Sequence, residues 1–164
     1  MADEEQAASE SGKEKRNTIK PIKVYLKDVS FEAPNSPGLF TEEWKPEFNV
    51  DMKSSTSQQG DDIFEVVFSM TITTTVGQRT AYLAEVHQAG LFDITGFEPD
   101  KIQRAQNVFC LNYIYPYASA SLSELVVKGG FPQFHFTPPN FNAAYEQHLQ
   151  EKQAAAGEPE AESE

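Results

Sequence analysis

Between residues 63 and 76 the large apolar side chains fall on even positions: Phe64, Val66, Phe68, Met70, Ile72 and Val76. The positions between them include Glu65, Ser69, Thr71, Thr73 and Thr75, so the run reads as a strand with one apolar face. The same alternation occurs earlier, where Phe48, Val50 and Met52 are set against Asn49, Asp51 and Lys53. The polar residues 54–62, which include Gly60, predict a loop between these two strands. Val76-Gly77-Gln78-Arg79 predicts a tight type II′ hairpin turn, and the chain returns as a strand over about 79–92 through Tyr82, Leu83, Val86 and Leu91. An earlier strand over about 19–32 carries Ile22, Val24 and Leu26 on one parity and Val29 and Phe31 on the other. That change predicts a bulge, or a strand covered on both faces.

The connection from this first strand, residues 33–47, holds Pro34, Pro37 and Pro46 and one glycine. Long connections of this kind are uncommon and often functional. A long return between strand one and a three-stranded meander predicts a Greek key, with the first strand beside the fourth. After residue 98 the period lengthens. Pro99 suits the first turn of a helix over about 99–107. Leu111, Ile114, Tyr115, Ala118, Leu122, Leu125 and Val126 then recur at helical spacing, with a break expected near 108–116 because of Pro116. Gly129-Gly130 marks the stop, and the prolines of FPQFHFTPP require an extended segment. Asn140 is placed to cap a last helix through Gln153. Four antiparallel strands followed by two main helices make an α+β fold.

Charge changes the picture at the ends. The 164 residues carry a formal net charge of -12. Residues 1–18 hold five acids and three bases, and residues 154–164 hold four acids and no base. Neither end has the side chains for a core, so the expected organisation is a disordered acidic arm at 1–18, a domain at 19–153 and a disordered acidic tail at 154–164. A chain this acidic lacks the basic footprint that nucleic acid requires. No run reaches the length of a membrane span, and the N-terminus has no apolar stretch of the secretory type, so a cytoplasmic protein with no membrane insertion is expected.

Candidate chemistry is sparse. Cys110 sits in an apolar helical context and reads as a buried thiol. A single cysteine forms no internal disulfide framework, and His87, His135 and His148 show no metal-ligand spacing. No phosphate-binding loop, dinucleotide fingerprint or nucleophile elbow is present, so neither cofactor nor catalysis is expected. The aromatics carry more information. Phe40 and Trp44 lie in the proline-containing connection, either as a small core under the loop or as the lining of an apolar groove. Asp28 and Glu32 share a strand face, as do Leu83 and Glu85, and the acids read either as a solvated face or as a docking surface for a basic partner.

The stretch from Val24 to Pro37, VYLKDVSFEAPNSP, resembles the opening of the bacterial protein-export chaperone family SecB. The resemblance continues through Tyr82-Leu83-Ala84-Glu85-Val86, Ala89-Gly90-Leu91-Phe92 and Gly96. It resumes at Tyr115-Pro116-Tyr117-Ala118, Gly130-Phe131-Pro132 and Pro139-Asn140-Phe141, and covers roughly residues 19–150. It implies a subunit with a four-stranded antiparallel sheet in a homotetramer, a dimer of dimers. It also implies a function without catalysis, in which unfolded precursor proteins are held and delivered to the SecA ATPase. By family position the client-binding role falls on Phe40, Trp44, Phe48, Val50 and Met52, and SecA docking on Asp28, Glu32, Leu83 and Glu85. Ala84, Val86 and Gln88 are implied to face the oligomer interface. Leu111, Ser119, Phe136 and Ala144 depart from the family pattern and bear on packing and assembly. A competing reading is a non-catalytic adaptor that binds one folded partner through its aromatic loop.

Overall fold

A computed structural model describes residues 16–157. The acidic arm expected at 1–18 and the tail at 154–164 fall largely outside the described residues. Strand β1 already begins at Thr18, however, and the last helix continues through Ala156. The four strands are β1 (Thr18–Glu32), β2 (Pro46–Gln58), β3 (Ile63–Val76) and β4 (Arg79–Thr95). They form one antiparallel sheet in the order β1-β4-β3-β2, so the first strand does lie beside the fourth. The parity change in β1 is a pair of register irregularities, between Pro21 and Lys23 and between Leu26 and Asp28. Gly77 opens the two-residue β3–β4 turn at φ 61, a left-handed conformation that costs glycine little.

Strand β2 is longer than its apolar alternation. The polar stretch from Ser54 to Gln58, expected as loop, pairs with Phe68 through Phe64 of β3. On an edge strand the backbone ladder suffices, and serine and threonine fit a pleated surface without burying anything. The true loop is short, from Gln59 to Asp62.

Helices cover one face of the sheet. α1 (Pro99–Arg104) runs into a π-helical segment (Ala105–Cys110) and then α2 (Leu111–Lys128) without a break. The expected interruption near 108–116 is therefore a widened turn, and Pro116 lies inside α2. Buried positions explain the widening. Ala105 and Gln106 face the sheet, as do Cys110 and Leu111 five residues later, then Ile114 and Tyr115. A five-residue return matches the i→i+5 bonding of a π turn, and the helical spacing of about four resumes after it. α2 packs on β4 and β3, where Gly90 lets the Ile114 side chain approach: a Cβ there would lie 3.2 Å from Ile114 Cδ1. Residues 131–139 form neither helix nor strand, and the Asn140 side chain then accepts from the Ala143 amide at 3.0 Å to cap α3 (Phe141–Ala156). The core lies between helices and sheet and includes Val66, Phe68, Met70, Ile72, Tyr82, Phe92, Ile114 and Leu122.

Candidate functional site

Alternation along β4 sorts the residues singled out in sequence. Even positions from Tyr82 to Ile94 point toward the helices, and odd positions point to the opposite, outer face. Ala84, Val86 and Gln88, expected at an oligomer interface, are on the helix side. The first two are fully buried and Gln88 is only 4% exposed within a single chain. Within one chain the helices cover them, so they present no surface there.

Asp28, Glu32, Leu83 and Glu85 do share a face. In the β1–β4 ladder Glu32 is opposite Leu83, Ser30 opposite Glu85, and Asp28 opposite His87. The outer surface also carries a polar chain that the sequence did not reveal. His87 Nδ1 lies 2.8 Å from Ser69 Oγ, and its Nε2 lies 2.7 Å from Glu85 Oε1. Thr71 Oγ1 donates to the other Glu85 oxygen at 2.9 Å. His87, then Thr71, hold the Glu85 carboxyl below its usual range against the opposing effect of burial, with Lys53 adding a smaller attraction. The Ser69–His87–Glu85 order resembles a nucleophile with its base. β3 and β4 are interior strands, though, so ladder bonds occupy the backbone amides that an oxyanion would need. The cluster is suited to presenting a carboxylate rather than to acyl transfer.

The opposite side carries the aromatic residues. The Phe40 ring lies 5.1 Å from Phe131, and the Trp44 ring 5.6 Å from the same side chain. Tyr82 approaches Phe131 from β4 at 4.8 Å. Further along, Phe48 of β2 lies 4.6 Å from Phe134, which in turn lies 4.6 Å from Phe136. The segment after α2 therefore joins the loop aromatics to those of β2, and a Ser123 Oγ bond to the Phe134 carbonyl at 3.3 Å ties it to α2. Val50 and Met52 continue the β2 row, opposite Ile72 and Met70. Phe131 is 5% exposed, whereas Phe40 and Phe48 are 50% and 44% exposed. The loop rings are thus packed on Phe131, and Phe40 also leaves apolar surface exposed.

Phe131, Phe134, Phe136 and Tyr82 were not among the expected site residues. The FPQFHFTPP run contained the signal, three phenylalanines in a segment that can only be extended. Burial pushes the Cys110 thiol up to about 12, so it stays protonated near neutral pH. Among the described residues no three His, Cys, Asp or Glu side chains group as a metal site.

Comparison with known proteins gives a consistent result. The model of a family described as preprotein translocase subunit SecB matches residues 12–152, starting inside the stretch assigned above to the N-terminal arm. A SecB-like chaperone of Mycobacterium tuberculosis, solved in complex with a ChAD peptide from the HigA1 antitoxin, superposes with a TM-score of 0.60 at 13% identity. That match covers 74% of this chain and 90% of the other. A protein of unknown function from Streptococcus agalactiae aligns at a TM-score of 0.39 and 10% identity, over 74% of this chain and 98% of that one.

Proposed function

The chain belongs to the SecB family, and from that premise we propose that it is an ATP-independent export holdase. It binds unfolded precursor proteins in the cytoplasm, keeps them competent for translocation and delivers them to the SecA ATPase. A chaperone role is the general property of the family. The observation that carries the finer reading is the half-exposed pair Phe40 and Phe48, set on a buried aromatic base that includes Phe131. Apolar contacts of this kind need no particular sequence, and each contributes in proportion to the area it covers, about 25 cal/mol per Å². Several weak contacts along one long client add through effective concentration. Capture of the unfolded chain alone opposes folding by mass action, so no energy source is required.

Docking of SecA on Asp28, Glu32, Leu83 and Glu85 is supported by their common outer face, separate from the aromatic surface. Assembly into a homotetramer is supported by apolar side chains left exposed on β1 and on the helices, among them Ile22, Leu26, Phe109 and Tyr117. Refolding of a denatured client of the maltose-binding type tests the main reading. A stoichiometric amount of the protein, without ATP, is expected to slow it. Unchanged refolding at a several-fold molar excess contradicts the proposal. Retardation of one protein only, with unrelated unfolded chains ignored, points instead to an adaptor.

A further inference from the structure

The loop of residues 33–45 is fastened to the start of β4 from both of its limbs. On the first limb, Asn35 Nδ2 donates to the Thr80 carbonyl at 2.9 Å. On the second, the Arg79 guanidinium pairs with the Glu42 carboxylate. Leu39 lies between these ties and is buried in the core. The loop's backbone hydrogen bonds, from Ser36 to Ala33, Leu39 to Asn35, Phe40 to Pro37 and Glu42 to Leu39, all stay inside the loop. The Glu43–Lys45 pair is also internal to it. Among the described residues, polar attachment to the rest of the molecule thus comes from Asn35 and Glu42, and of these Glu42 lies on the limb between Phe40 and Trp44.

We propose that Arg79 is a positioning residue of the client site, latching Glu42 so that Phe40 and Trp44 stay seated against Phe131. The proposal rests on the client-holding reading above. Its physical basis is preorganisation: a loop held before the client arrives loses less conformational freedom on binding. The hairpin makes a suitable anchor, because Arg79 immediately follows the tight Gly77-Gln78 turn and is paired with Val76. Asn35 and Leu39 fix the first half of the loop, and the Arg79–Glu42 pair fixes the half that carries Phe40 and the partly buried Trp44.

Trp44 is the only tryptophan in the chain, so its fluorescence reports the second limb directly. The Arg79→Glu variant sets two carboxylates against each other. Its Trp44 emission is expected to shift to the red and to become more accessible to acrylamide. Affinity for an unfolded client should fall by about two- to fivefold, the size expected for one exposed ion pair. The charge-swapped double variant, Arg79→Glu with Glu42→Arg, should restore both readings, which a residue that merely fills space would not do. Glu42→Gln, which only removes a charge from an exposed loop, should shift both in the same direction by less, and it serves if the reversal impairs folding. Unchanged Trp44 quenching in the single variants, or no rescue in the double, overturns the latch. If the unaltered protein holds no client, the holdase reading fails, while the Trp44 measurements still decide the latch.

Discussion

Glu85 illustrates how one side chain's environment sets its charge. Its carboxylate accepts from Thr71 and is bonded to His87, which is in turn bonded to Ser69. A carboxyl whose folded pKa is depressed adds stability above its unfolded pKa and loses it as pH falls through the lower folded value. Because His87 is the largest cause, His87→Ala is expected to move the Glu85 titration up toward the ordinary carboxylate range. Carbon-detected NMR of the side-chain carboxyl measures that directly, and an unmoved titration would leave Thr71 as the dominant partner. The proposed docking role makes a second demand on the same atom. Glu85→Lys reverses a half-exposed charge on the outer face, so SecA affinity should drop while client holding stays intact. Equal SecA affinity in the two proteins would remove Glu85 from that surface.

At the scale of elements, β4 and α2 approach closely at Gly90. A Cβ there would lie 2.5 Å from Phe92 Cε2 and 3.2 Å from Ile114 Cδ1, so two buried side chains would have to shift. Gly90→Ala should destabilise the subunit by about 1–3 kcal/mol, the usual cost of overpacking. Thermal or urea unfolding measures it, and an unchanged midpoint would mean that the helix can lift at little cost. The elements themselves were largely legible in the sequence, because β3 and β4 bury one face and α2 one stripe, and burial leaves a period. Where burial was not the cause, the reading failed. Ser54 to Gln58 join the sheet through polar bonds, the backbone ladder and a Ser57 Oγ bond to Glu65, so no apolar pattern marks them. The π turn has a five-residue return that looks like a proline break when only three- and four-residue spacing is sought. Partners are the least legible feature. Alternation separated Ala84, Val86 and Gln88 from Leu83 and Glu85 correctly, but parity does not say whether a helix or a second subunit covers a face. The same limit hid Phe131, since its ring partners Phe40 and Tyr82 lie dozens of residues away and meet only through the fold.

For the molecule as a whole, assembly must overcome charge. Each chain carries -12, and four together carry four times that, so a tetramer needs apolar contacts sufficient to offset mutual repulsion. The surface outside the proposed client site supplies candidates. β1 is an edge strand with one side of its backbone ladder unpaired in the sheet, and its Ile22, Leu26 and Val29 are exposed. An edge of this kind tends to pair with another chain. Beside it Phe109, Tyr113 and Tyr117 form a row of rings at 6.4 and 6.3 Å spacing. A cavity of about 260 Å³ lies between this row and the strand, lined by Pro21, Ile22, Lys23, Val24, Tyr113 and Tyr117. Light scattering should therefore give a mass near four times 18.3 kDa. Tyr117→Glu places a further negative charge on that surface and should lower the mass at micromolar concentration. Added salt should partly restore it, because ions screen repulsion between charges separated by more than about 8 Å at physiological strength. The aromatic surface proposed to hold clients lies elsewhere, so a dissociated variant should keep the Trp44 emission of the parent and lose mainly the gain from multiple sites on one client. A monomeric parent protein would rule out the tetramer, and an undiminished mass in Tyr117→Glu would move the interface away from this row.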